Sequence, residues 1–167
     1  LWCARQVSTR YNDRAASIAQ ISELLAVMAG AKAGHYLAFF PSYSYLQQVW
    51  ENFIARFPDV PTIKQETAMD EAQRADFLAQ FAAPDGRTLL GFAVLGGVFG
   101  EGVDLVGDSL IGAAIVSPGL PQVGARQEQL RDYFEQTRGS GFDSAYRYPG
   151  MHKVVQAAGR VIRTPQD

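Results

Sequence analysis

The chain has 167 residues, 47 % of them hydrophobic and 19 % charged, which suits one globular domain with its own core and excludes a disordered polypeptide. Fifteen Lys and Arg against 17 Asp and Glu leave a net charge of −2, so the overall basic footprint of many nucleic-acid binders is missing. The single cysteine, Cys3, excludes an internal disulfide and a cysteine-ligated metal cluster.

In chain order, Trp2 to Val7 alternates polar and apolar residues and is read as an edge strand. Cys3 is expected there as a small buried apolar residue. Asn12 and Asp13 open a helix to about Ala31, with Ala15, Ile18, Ile21, Leu25 and Met28 at helical spacing. Gly30 and Gly34 end it. His35 to Phe40 is a short apolar run of the kind a buried strand shows. Pro41 breaks that run, and Ser42 caps a helix from about Tyr43 to Arg56, with Leu46, Val49, Trp50 and Phe53 on one side. Thr62-Ile63-Lys64 is a short strand, and Asp70 to Phe81 a helix with Phe77, Leu78 and Phe81 apolar. Thr88 to Leu95 and Ile111 to Val116 are strands. Gln127 to Thr137 is a helix, Gly139 to Tyr148 a polar and aromatic loop, and Met151 to Arg163 the last helix. His35 and His152 are too few for a zinc site and read as ordinary structural residues. No apolar window is long enough for a membrane span.

Strands alternating with helices predict an α/β fold, a parallel sheet with helices on both faces. Ligands of such folds gather at the carboxyl ends of the strands, so the loops that matter begin at Pro41, Gln65, Gly96 and Pro118.

Three segments carry candidate chemistry. In Gln156-Ala157-Ala158-Gly159-Arg160-Val161-Ile162-Arg163, helical spacing puts Gln156, Arg160 and Arg163 on one face. Planar guanidinium forks suit phosphate oxygens. Gly159 inside a helix points to close backbone packing. The Gly96–Leu105 stretch has four glycines in seven residues, with Glu101 and Asp104 beside them. Its backbone can approach a ligand closely, yet it is neither a lysine-bearing phosphate loop nor a dinucleotide fingerprint. In Phe39 to Leu46, a strand runs into a helix start whose amides and hydroxyls form a phosphate grip, with Tyr43 or Tyr45 able to stack on a base. Lys64 to Thr67 is a weaker candidate from another strand end. Each segment also has a plain structural reading: an amphipathic helix with surface arginines, a tight turn with solvated acids, and a capped helix with core aromatics.

The three segments in this order resemble the second motor domain of the DinG/XPD (Rad3-like) superfamily-two helicases. "FFPSYSYLQQV" looks like that family's motif IV, "GGVFGEGVDLVGDSLIGAAIVSPGLP" like motif V and its following strand, and "QAAGRVIRTPQD" like motif VI. "VSTRYNDR" is similar to the opening of the domain. The resemblance covers essentially the whole chain and implies a single RecA-like domain over residues 1–167. It implies that Arg160 and Arg163 reach the ATP γ-phosphate across a cleft, with Gln156 sensing nucleotide. It places Glu101, Gly102 and Asp104 by the cleft and Ser42 and Tyr43 on a single-stranded DNA track. ATP with Mg²⁺ would be shared with the first motor domain of the same polypeptide, which is absent here, as is the part that carries an iron–sulfur cluster in many relatives. The chain would then be a piece of a longer cytoplasmic helicase moving 5′ to 3′ and, alone, without activity. Alternatives of other classes are a degenerate motor half that docks proteins, a double-strand translocase or RNA-dependent ATPase, and an enzyme binding nucleotide through the Gly96–Gly102 loop itself.

Overall fold

The computed structural model describes residues 1–82, 86–99, 109–159 and 161. Among these, β1 (His35–Phe40), β2 (Thr62–Lys64), β3 (Leu89–Val94) and β4 (Gly112–Ile115) form one parallel sheet in the order β2-β3-β1-β4. The helices are α1 (Arg14–Ala31), α2 (Tyr43–Arg56), α3 (Glu71–Ala82), α4 (Ala125–Arg138) and α5 (Tyr148–Ala158).

β1 lies between β3 and β4, and all of its residues are buried. Alternation sends Tyr36, Ala38 and Phe40 into a layer with Ile21, Leu25 and Ala29 of α1 and Leu46, Val49 and Phe53 of α2. Leu37 and Phe39 enter the opposite layer, with Phe77 and Phe81 of α3 and Ala157 of α5. A strand covered on both faces has no polar side, which is why β1 reads as an unbroken apolar run. Aromatic contacts organise the first layer: Phe40 stacks on Phe92 at 5.7 Å, and Phe53 meets Phe92 nearly edge-on. A buried hydrogen bond of 2.6 Å between the Ser17 and Tyr45 hydroxyls joins α1 to α2.

The α2 boundaries are those its sequence predicts. Ser42 is extended (φ −160°, ψ 155°), and its Oγ accepts from the Tyr45 N–H at 3.4 Å. α1 also starts where expected, but Asp13 makes no capping bond; its carboxylate accepts from the Ser8 hydroxyl at 2.6 Å instead.

Three expectations are corrected. Trp2 to Val7 forms no strand; Trp2 is 70 % exposed and Cys3 is exposed too. Alternation creates an edge strand only where a neighbouring edge is offered, and none of the described strands pairs with this segment. Gly139 to Tyr148 is mostly helical rather than a loop. Gly139 ends α4 in the left-handed region (φ 61°), and the chain then winds through a π-helical turn, Asp143–Arg147, directly into α5. Side chains of α4 hold this turn: the Gln127 amide donates to the Ala145 carbonyl, Glu128 accepts from the Tyr146 hydroxyl, and Glu135 accepts from the Gly141 N–H at 2.7 Å. A Cβ at Gly141 would collide with the Arg131 carbonyl, so the absence of a side chain there is what permits helix packing. Third, α5 begins earlier than expected, with Pro149 in its first turn, and ends at Ala158, where Gly159 caps it with φ −65° and ψ −4°. Among the described residues, a Cβ on Gly159 would meet only carbonyls of its own last turn, at 3.4 and 3.6 Å, so no other described element packs closely there. Arg160 and Arg163, which the expected face shares with Gln156, lie outside the described residues.

Candidate functional site at the carboxyl edge of the sheet

The four edge loops start level because the ladders continue one residue beyond the strands. The Leu95 N–H donates to the Phe40 carbonyl, the Gln65 N–H to Phe92 and the Val116 N–H to Phe39, at 2.8, 2.8 and 2.9 Å. Gln65, only 4 % exposed, then ties three of these loops together. Its Oε1 accepts from the Val94 N–H at 2.8 Å, and its Nε2 donates to the Tyr43 hydroxyl at 2.9 Å. The start of α2, the end of β2 and the end of β3 thus share one buried amide.

β3 leaves the sheet through a tight turn. Gly96 has φ 74°, a conformation that strains any residue with a Cβ, and the Gly97 N–H donates to the Val94 carbonyl at 3.2 Å. The Lys153 stem of α5 lies over this turn: a Cβ on Gly96 would stand 3.0 Å from its Cδ and 3.1 Å from its Cε. The Lys153 ammonium donates to the Gly119 carbonyl at 3.2 Å, so one side chain bridges the loops that follow β3 and β4. Farther along, Phe99 stacks on Phe77 at 4.3 Å and pins the turn to α3. Glu101, Gly102 and Asp104 lie outside the described residues.

On α5, Ala157 is fully buried against the sheet, while Gln156 faces solvent. Val154 and Val161 pack against the second core layer, whereas Val155 is 67 % exposed. Arg160 and Arg163 lie outside the described residues.

Ser42 and Tyr43 stand together at the amino end of α2, both half-buried. Tyr45 is not a stacking platform: it is 2 % exposed and bonded to Ser17. Burial pushes its pKa up, opposed by the Ser17 hydrogen bond and the Arg14 charge. Lys64 sits over Trp50 at 4.9 Å and pairs with Glu66 at 2.5 Å. His35 is buried at the opposite end of β1, edge-on to Phe81, with no partner for its Nδ1 among the described residues, whereas His152 is exposed. Among the described residues no cluster of His, Cys, Asp and Glu could hold a metal, and no helix is long and apolar enough to cross a membrane.

Two organising residues were missed in the sequence. Gln65 was visible as the head of an edge loop and within the weaker Lys64–Thr67 candidate, and Lys153 carried a fainter signal, lying one helical turn before Gln156.

Residues 25–167 match the family model described as "Helicase C-terminal domain". The general transcription and DNA repair factor IIH helicase subunit XPD of Dictyostelium discoideum is 30 % identical over 178 residues, covering 96 % of this chain and 22 % of that protein. Two solved structures of XPD share the fold. One, described as an XPD helicase, has a TM-score of 0.72 at 19 % identity and covers 95 % of this chain and 28 % of its own. The other, described as apo XPD, has a TM-score of 0.71 at 18 % identity and covers 94 % and 31 %. The chain thus spans less than a third of these relatives. With its parallel RecA-like sheet and a family match running from within α1 to the last residue, the chain belongs to the helicase C-terminal domain family, in its XPD/DinG branch.

Proposed function

We propose that this chain is the second motor domain of an ATP-dependent DNA helicase that moves 5′ to 3′ along a single strand. The observation that supports this best is convergence at one sheet edge: the capped start of α2 with Ser42 and Tyr43, the Gly96 turn, and α5 leading toward Arg160 and Arg163. A helix amino terminus with hydroxyls beside it grips phosphates of a strand without a basic surface, which reconciles the role with a net charge of −2.

In this reading ATP with Mg²⁺ sits between this domain and the first motor domain of the same polypeptide. Arg160 and Arg163 present forked donors to the γ-phosphate as charge develops there, and Gln156 hydrogen-bonds beside them. Glu101, Gly102 and Asp104 transmit nucleotide state to Ser42 and Tyr43. Closure of the two domains assembles the site, and hydrolysis loosens it, moving the strand. The sequence carries no lysine-bearing phosphate loop, so the chain alone hydrolyses no appreciable ATP.

The test is ATP hydrolysis by the full parent polypeptide, with and without single-stranded DNA. DNA stimulates the wild type. Arg160→Ala still binds ATP but loses turnover by a factor on the order of 10³ or more, as arginines at a transferring phosphoryl group do. Normal turnover in Arg160→Ala makes that arginine a structural residue and refutes the motor assignment.

A further inference from the structure

We infer that Gln65 is a positioning residue that sets the polarity of the Tyr43 hydroxyl, turning its proton outward toward a phosphate oxygen of the bound strand. The inference rests on the motor reading above and adds to it a device that no motif singles out.

The chemistry is that of donors and acceptors. A backbone N–H can only donate, so the side-chain atom of Gln65 that faces the Val94 N–H at 2.8 Å must be the amide oxygen. The amide nitrogen then faces Tyr43, at 2.9 Å. An amide N–H can only donate as well, so the phenol oxygen accepts there and cannot spend its single proton on Gln65. No other group among the described residues bonds this hydroxyl, so its proton is not spent on any of them. Phosphate oxygens only accept, so the outward proton matches a nucleic-acid backbone and not a cationic or amine ligand.

Place supports polarity. Tyr43 opens α2 directly after the Ser42 cap, where the helix end already favours negative charge. The relay starts at Val94, the last residue of β3 before the glycine turn, and the amide lies beneath that turn: a Cβ on Gly97 would stand 3.6 Å from Nε2. Any shift of the turn moves Val94, the amide and the Tyr43 proton together. The buried Gln65 thereby links the turn expected at the nucleotide cleft to a donor on the DNA edge.

The experiment uses the full parent polypeptide and a fluorescent oligothymidylate, with binding read by anisotropy. Gln65→Glu keeps the shape and still accepts from Val94. Its carboxylate also accepts the Tyr43 proton, turning phenol lone pairs toward the strand. Affinity then falls roughly ten- to a hundredfold, the worth of a hydrogen bond to a charged group exchanged for repulsion. Gln65→Met removes the relay without reversing it and costs less. Combined with Tyr43→Phe, which has no hydroxyl to orient, Gln65→Glu and Gln65→Met bring no further loss. Should Gln65→Glu not fold, the Gln65→Met and Tyr43→Phe cycle carries the same test. Equal losses for Gln65→Glu and Gln65→Met in folded proteins, or an undiminished loss on top of Tyr43→Phe, overturn the inference and make Gln65 a purely structural amide. A wild type that binds no strand at all refutes the motor reading itself, before any variant is compared.

Discussion

Replacing Gly91 by alanine adds one methyl group at a crowded point of the sheet. Gly91 lies in the middle of β3, paired with Leu37 on one side and Ile63 on the other. Its Cβ would stand 2.5 Å from Cζ of Phe81, 2.8 Å from Cδ1 of Leu37 and 3.4 Å from Cε2 of Phe81. Carbon atoms rest at about 3.5–4.0 Å, so roughly 1 Å must be found in two directions at once. Neither neighbour can yield freely: Phe81 is fully buried, Leu37 is 2 % exposed, and the Phe81 ring also packs edge-on against His35. Overpacking of this kind costs about 1–3 kcal/mol, while the stiffer unfolded chain of the alanine variant returns about 0.4–1 kcal/mol. A net loss of about 1–2 kcal/mol lowers the melting temperature by about 2–8 °C for a chain of this size. Urea unfolding checks it, as a lower midpoint at unchanged slope. Adding Phe81→Leu frees the space the methyl group needs, so the double variant loses less than the two single losses summed. A Gly91→Ala protein as stable as wild type, or strict additivity with Phe81→Leu, refutes the packing argument.

Two further outcomes are expected. Burial holds the pKa of both Tyr36 and Tyr45 above the ordinary 10.0, so the unfolded chain gives up phenol protons before the folded one. Their contribution is intact below pH 10 and is lost as pH rises above it; a melting temperature that does not fall between about pH 9.5 and 11, or a phenolate absorbance that titrates freely in the folded protein, contradicts this. Ser42→Ala removes the α2 cap and costs about 1 kcal/mol, whereas Ser42→Gly costs only a few tenths because glycine also suits that position. If the hydroxyl also touches a phosphate, both variants weaken strand binding equally despite their unequal stability; binding that tracks stability confines Ser42 to capping.

What could be read from the sequence was local. β1 and α2 came out with their true limits because an apolar run, a proline and a capping serine mark them within a few residues of chain. The segments that misled are those whose state depends on a partner. Trp2 to Val7 alternates like a strand but pairs with none of the described strands. Gly139 to Tyr148 looks like a loop because it is polar and aromatic, yet its polar groups bond to α4 and Gly141 gives the room that close approach needs. The site divides in the same way. Ser42, Tyr43 and the glycine turn announce themselves by motif. The Gln65 relay depends on strand register, which sets Val94 and Tyr43 on either side of one amide from positions 29 and 22 residues away in sequence.

The placement of β1 bears on how the chain is made. Its two neighbours are β3 and β4, so His35 waits for Leu89, and Tyr36 for Gly112. At typical elongation rates the more than fifty residues between His35 and Leu89 take about 3–10 s to synthesise. For that interval the one described strand buried at every position in the finished fold is exposed beside the ribosome with neither edge paired, and α1 and α2 offer shelter to one face alone. Nascent chains stalled between β2 and β3 are therefore expected to hold chaperones, and those extended past β4 to release them.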